Sequence, residues 1–81
     1  MIFIDPLKLY TGKRILYAHM VSDTSLEELH AFALSIGVKR HFFHRGNHYD
    51  IRENEHPIAI AKGAQLVTPK ELVRKMIKKW L

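Results

Sequence analysis

Three histidines and an aspartate crowd the ten residues His41-Phe42-Phe43-His44-Arg45-Gly46-Asn47-His48-Tyr49-Asp50. His44 and His48 have His-x3-His spacing with Asp50 two residues on, and imidazole and carboxylate are ligand types for zinc or another divalent ion. That spacing is diagnostic on a helix, where it brings the two rings together one turn apart, whereas this segment reads as strand and turn; the plainer alternative is surface or hydrogen-bonded histidine. A second set is Asp5, Asp23 and Asp50, hard oxygen ligands of the kind that hold magnesium in phosphoryl-transfer sites. The expected metal ligands are therefore Asp5, Asp23, His44, His48 and Asp50, and the only cofactor anticipated is a divalent metal.

Ser22-Asp23-Thr24-Ser25 opens a helix, and the free N–H groups there, with three hydroxyls beside them, suit a phosphate or carboxylate. Plain capping uses the same groups, and Asp23 opposes an anion unless a cation screens it. There is no glycine-rich phosphate loop. His19 closes a strand and His30 flanks an apolar helical stripe. Each is a general acid or base if it faces a cleft, and a hydrogen-bonded core-edge histidine otherwise. Tyr49 can stack on a base. The expected ligand-binding set is His19, Ser22, Asp23, Thr24, Ser25, Glu28, His30, His44, His48, Tyr49 and Asp50. A separate basic face on the last helix, Lys70, Arg74, Lys75, Lys78 and Lys79, opposed only by Glu71, fits a nucleic acid or an acidic partner, or simply a solvated surface.

The elements that must position these residues follow from patterning. Residues 2–4 form a buried strand stopped before Pro6, and residues 15–21 a second apolar strand. Thr24-x-x-Glu27 and Ser25-x-x-Glu28 are capping boxes, and Leu26, Leu29, Ala33 and Ile36 recur at helical period up to Gly37, predicting a helix over about 25–36. Residues 38–45 read as a third strand and Gly46-Asn47 as its turn; residues 48–51 are either a hairpin return or a loop. Pro57 starts a short helix that ends at Gly63, and residues 65–67 are a strand. Thr68-Pro69 then begins a last helix over about 69–80, with Val73, Met76, Ile77 and Trp80 facing inward. The order β, β, α, β, α, β, α predicts an α/β fold: a small, mostly parallel sheet of about four strands with three helices, in Rossmann-like layering. In such a sheet a ligand sits outside the carboxyl ends of the strands, where Asp5, His19, Ser22, Asp23, His44, His48 and Asp50 fall.

Eighty-one residues are enough for one domain, residues 1–81, with 47% apolar and 26% charged residues and a net charge of +5. The absence of cysteine excludes disulfides, thiolate metal sites and a cysteine nucleophile. No apolar run reaches the roughly 20 residues of a membrane span, and the start has no basic segment of the secretory kind, so a cytoplasmic protein without a membrane partner is expected.

His19-x-x-Ser22-Asp23-Thr24-Ser25-Leu26-x-Glu28-Leu29-His30-x-Phe32-Ala33, then Gly37, Phe43, His48-Tyr49-Asp50, Gly63-Ala64 and Glu71-Leu72-Val73-Arg74 run through nearly the whole chain. In these motifs the sequence resembles a small family of bacterial and phage proteins catalogued only as a domain of unknown function. Members often carry a tryptophan in the loop after the first strand; here that loop has Asp5-Pro6 and Gly12-x-Arg14 and no tryptophan. The resemblance implies that His19, Ser22, Asp23, Glu28, His30, His48, Tyr49 and Asp50 match the family's polar positions, and it implies no activity.

The leading expectation is a domain that binds a phosphorylated small molecule, such as a nucleotide, at the strand ends. The alternatives are a metal-dependent phosphoesterase or nuclease, and a nucleic-acid or acidic-partner adaptor acting through the basic helix. Because so short a chain makes a deep dry cleft with difficulty, a homo-oligomer is also expected, with Phe42 or Trp80 in the contact.

Overall fold

The second apolar run becomes the axis of the structure, a computed structural model that describes residues 1–76. On one side of the sheet β1 (Ile2–Ile4) precedes the two-residue β2 (Lys8–Leu9), and both pair with the long β3 (Leu16–Ser22). A one-turn 3-10 segment (Arg40–Phe42) leads into β4 (Phe43–His44), which pairs with β5 (His48–Arg52); β5 pairs in turn with β3. The last strand, β6 (Gln65–Leu66), lies beside β1. The six-stranded order is β4-β5-β3-β1-β6, with β2 also against β3.

This corrects the expectation of a mostly parallel sheet of about four strands. Among the described residues only β1 and β6 run parallel, and every other pairing is antiparallel. The reason lies in the connections. Parallel neighbours need a crossover of a dozen or more residues, usually helical. The chain from β1 to β3 contains no helix, and β4 reaches β5 through a tight turn. β6 alone returns to β1 through a helix, and it alone is parallel to it. Residues 38–45, expected as one strand, divide into the 3-10 turn and β4, and β2 was not expected.

Three helices cover the sheet. The first, α1 (Leu26–Ser35), is capped by the Ser25 side chain, which accepts the Glu28 N–H at 3.0 Å. It ends where Gly37 takes φ +81°, letting Val38 N–H reach Ala33 C=O at 2.9 Å and Gly37 N–H reach Leu34 C=O at 3.1 Å. This is the paired-bond helix stop for which glycine is favoured. The second, α2 (His56–Ala61), carries Pro57 in its first turn. The third, α3 (Pro69–Lys75), starts with a complete capping box between Thr68 and Glu71. No described helix is long and apolar enough to cross a membrane.

Alternation along the strands divides the side chains between two faces. Ile2, Ile4, Ala18, Met20, Tyr49 and Ile51 form one face and pack with Leu29 and Ala33 of α1 and Ala59 of α2. On the other face Phe3 and Val21 pack with Leu72 of α3, together with Val67 and Met76. The buried side of α3 is thus centred on Leu72. Val73, expected to face inward, is exposed: α3 meets the sheet through Leu72, against Phe3 of β1 and Val21 of β3. Ile77, Lys78, Lys79 and Trp80 lie outside the described residues.

Candidate functional site

Because α3 covers only one end of the second face, the middle of that face stays open, and the antiparallel register puts ionisable residues there. Asp5 follows β1 and sits against His19, with its N–H donating to the His19 carbonyl at 3.1 Å. His19 lies directly opposite Asp50 of β5, and His44 of β4 is opposite His48. His48 and Asp50 are two apart on one strand, so they share a face. His19, His48 and Asp50 each bring one ligand atom within 4.8 Å of the others, the one such metal-ligand cluster among the described residues.

The rings are held from behind. Asp5, 1% exposed, accepts the His19 backbone N–H at 2.6 Å and lies 3.0 Å from His19 Nδ1. Its own carbonyl accepts from His56 Nε2 at 2.9 Å, tying it to α2. Tyr10 Oη lies 3.3 Å from the same His19 nitrogen. His48 Nδ1 is 2.7 Å from Asn47 Oδ1. Asp50 divides its carboxylate, with Oδ1 3.4 Å from His48 Nε2 and Oδ2 3.2 Å from His44 Nε2. The His19 and His48 rings meet edge to face at 5.2 Å.

The electrostatics follow from these contacts. The hydrogen bond to Asp5 raises the pKa of His19 against the lowering effect of burial, with the Asp5 and Asp50 charges adding to the rise. Burial works to raise Asp50, but the His48 hydrogen bond and the charges of His44, His48 and His19 outweigh it and hold the carboxyl below its ordinary range.

Between this cluster and α3 runs a groove of about 370 Å³. Its polar side includes Lys8, Tyr10, His19, Arg45 and His48, and its apolar side is Leu72, Val73 and Met76.

The other expected site residues go elsewhere. Ser22, Asp23, Thr24, Ser25 and Glu28 sit at the opposite end of β1, with Ser22 opposite Ile2. That is roughly 10 Å along the strand from Asp5. Their groups are mutually satisfied: Ser22 Oγ accepts the Thr24 and Ser25 N–H groups at 3.0 and 3.2 Å and donates to Glu28. The Met1 amino group donates to Asp23, Thr24 and Glu28, and holds both carboxyls below their ordinary range. The helix N-terminus therefore serves as a cap and does not join the histidines. The strand-end cleft that would have united them requires a parallel sheet. His30 lies on the covered side, with Nδ1 2.8 Å from the hydroxyl of buried Tyr49, beside a mainly apolar hollow of about 250 Å³. Lys70, Arg74 and Lys75 are exposed, and Lys75 Nζ stands 5.1 Å over the Phe3 ring. Phe42 is half-buried under the Arg52 guanidinium at 4.6 Å.

From the sequence His19 is expected as a binding residue but not as a metal ligand, and Tyr10, Lys8 and Arg45 carry no expectation of a site. One signal was legible. His48-Tyr49-Asp50-Ile51-Arg52 alternates polar and apolar, which marks a strand with one covered face and puts His48 and Asp50 together on the other.

The sequence profile of the family described as "Protein of unknown function (DUF4031)" matches residues 2–79. The chain belongs to that family. No curated protein and no solved structure matches it.

Proposed function

We propose that this DUF4031 domain holds a divalent transition-metal ion between His19, His48 and Asp50 and uses it on a phosphoester. The observation that carries the reading is the state of His48. Both its ring nitrogens face oxygen atoms, Nδ1 at Asn47 Oδ1 and Nε2 at Asp50 Oδ1. A neutral imidazole has one N–H. With that proton on Nδ1, the Nε2 lone pair confronts a carboxylate; a second ring proton or a shared cation resolves the conflict, and the His19 ligand atom within 4.8 Å of both favours the cation. His19 is prepared in the same way: Asp5 takes Nδ1 and leaves Nε2 for a ligand role, the carboxylate–histidine–metal arrangement that fixes tautomer and orientation.

The spacing supports the ion. Tetrahedral bonds of about 2.0–2.1 Å place ligand atoms roughly 3.3 Å apart. The His48–Asp50 pair is already at 3.4 Å, and the third ligand atom, on His19, lies within 4.8 Å of both. Two imidazoles and one carboxylate leave coordination positions open, as catalytic rather than structural sites do. An ion there supplies polarisation of a phosphoryl oxygen and a lowered pKa for a coordinated water. Hydrolysis joins the water oxygen to phosphorus as the ester P–O bond breaks; one water proton passes to a base and the released alkoxide takes up a proton. His44, whose Nε2 contacts the far oxygen of Asp50 at 3.2 Å, orients that ligand, and solvent at the open site is the base of the first transfer. Lys8 and Arg45 draw the anion into the groove.

A second reading keeps the metal and drops the turnover. The groove is open, and the His19 side chain is 32% exposed, so water exclusion is incomplete in the single chain. A metal-bearing binding domain for a phosphorylated small molecule fits that openness.

The test is calorimetric titration of EDTA-treated protein with zinc and manganese, followed by hydrolysis of p-nitrophenyl phosphate. One ion per chain, and metal-dependent release of nitrophenol that is lost in Asp50→Asn, are expected. Metal binding without turnover selects the second reading. No metal binding leaves the cluster as a histidine–carboxylate ion-pair network and overturns both.

A further inference from the structure

The hairpin between β4 and β5 turns on Arg45 and Gly46, whose φ angles are 56° and 71°. Asn47 N–H closes it on His44 C=O at 3.2 Å. Two successive left-handed residues are the signature of the tight hairpin turn whose first central position favours Asn, Asp or Gly. A long branched-polar side chain is disfavoured there, because Cβ crowds the following carbonyl. Gly46 meets the local requirement and Arg45 does not. Arg45 is the one non-glycine residue of positive φ among the described residues, and it enters no ion pair among them. Its side chain lines the groove beside His19 and His48 instead, in company with Lys8 of β2.

We propose that Arg45, assisted by Lys8, is the phosphate-recognition residue of this groove and that the ligand is a phosphomonoester of a flat apolar group, of the nucleoside monophosphate class. A guanidinium grips phosphate through two parallel N–H···O bonds, which a residue suited to the turn does not offer. The phosphate lies between Arg45, Lys8 and the metal ligands. The flat apolar part runs along Leu72, Val73 and Met76, the groove's one apolar wall. A volume of about 370 Å³ falls at the small end of the roughly 300–1,000 Å³ of small-molecule sites, which suits one nucleotide. The inference rests on the proposed metal groove for the position of the site. The choice of an unfavourable residue at the turn stands independently of the metal.

Arg45→Asn separates the two ideas, because it improves the turn while removing the guanidinium. The wild type and the variant are compared by thermal unfolding, zinc titration, and titration with 5′-AMP and inorganic phosphate, each with and without zinc. The expected result is a Tm raised by about 2–5 °C, unchanged zinc affinity, and 5′-AMP affinity reduced tenfold or more. In the wild type 5′-AMP binds more tightly than inorganic phosphate. An Arg45-dependent 5′-AMP affinity in protein that binds no zinc removes the metal reading and keeps this one. Zinc binding with no 5′-AMP binding, or with equal affinity in Arg45→Asn, overturns this inference and leaves the metal reading standing. Equal affinity for phosphate and 5′-AMP overturns the nucleotide class.

Discussion

Asp5 grips His19 twice, accepting the backbone N–H at 2.6 Å through Oδ1 and standing 3.0 Å from ring Nδ1 through Oδ2. The pair joins residues 14 apart in sequence, and it exists only because β1 and β3 run antiparallel in the register that places Ile4 opposite Met20. One carboxylate thereby fixes the strand pairing and the ring that the proposed metal needs.

That double contact predicts a graded response. Asp50→Asn removes the anionic ligand and His48→Ala a ring nitrogen, and zinc affinity measured by calorimetry is expected to fall a hundredfold or more. Asp5→Asn removes only the charge behind His19, and outer partners of this kind typically cost about 10–100-fold. An unchanged affinity in Asp5→Asn, with the fold intact by circular dichroism, counts against the orienting role.

Zinc at a hundred times its dissociation constant is expected to stabilise the wild type by about 2.7 kcal/mol. In thermal scans this appears as a Tm that rises with zinc concentration, and the rise disappears in Asp50→Asn. The effect is also expected to shrink as pH is lowered from 8 to 6. The ion displaces protons from imidazole, and the Asp5 hydrogen bond raises the pKa of His19, so proton competition begins above the ordinary histidine value.

His30 titrates in the opposite sense. Burial, then the charge of nearby Arg40, lower its pKa, while Tyr49 Oη holds Nδ1 at 2.8 Å. The folded state therefore binds fewer protons than the unfolded state. His30 allows full stability above about pH 6.5 and withdraws it as pH falls through that value toward its depressed one. Urea unfolding between pH 5 and 8 is expected to show a steeper loss on the acid side for wild type than for His30→Gln. Parallel profiles remove the argument.

Glu55 is 4% exposed and closes the turn after β5, accepting the Arg52 backbone N–H at 3.1 Å and Arg52 Nη2–H at 2.7 Å. Burial pushes its pKa up, and the Arg52 bonds outweigh that and bring it below the ordinary glutamate value. Its contribution is thus present at neutral pH and is lost as pH falls through the depressed pKa. Glu55→Ala strands a backbone donor and is expected to cost about 1–3 kcal/mol in denaturant unfolding. Arg52→Ala leaves the buried Glu55 carboxylate without its counter-ion and is expected to cost a comparable amount.

Local signals carried much of the architecture. Ser25 caps α1, Gly37 ends it, and Thr68 and Glu71 open α3, because caps depend on residues three or four apart and on one backbone angle. The same locality made histidine and aspartate visible as metal-ligand types. Which of them meet was decided elsewhere. Asp23 has the chemistry of Asp50 but pairs with the Met1 amino group at the far end of β1, and His30 has the chemistry of His19 but faces Tyr49 across the sheet. Strand direction and register, set by connection length and by burial of one face, brought His19 opposite Asp50 and left the middle of the second face open beside α3. A slip of one residue in β5 would turn His48 and Asp50 into the core. Residue types are written in the sequence, but their convergence is a property of the non-local pairing between β3 and β5, which no short stretch of the chain contains.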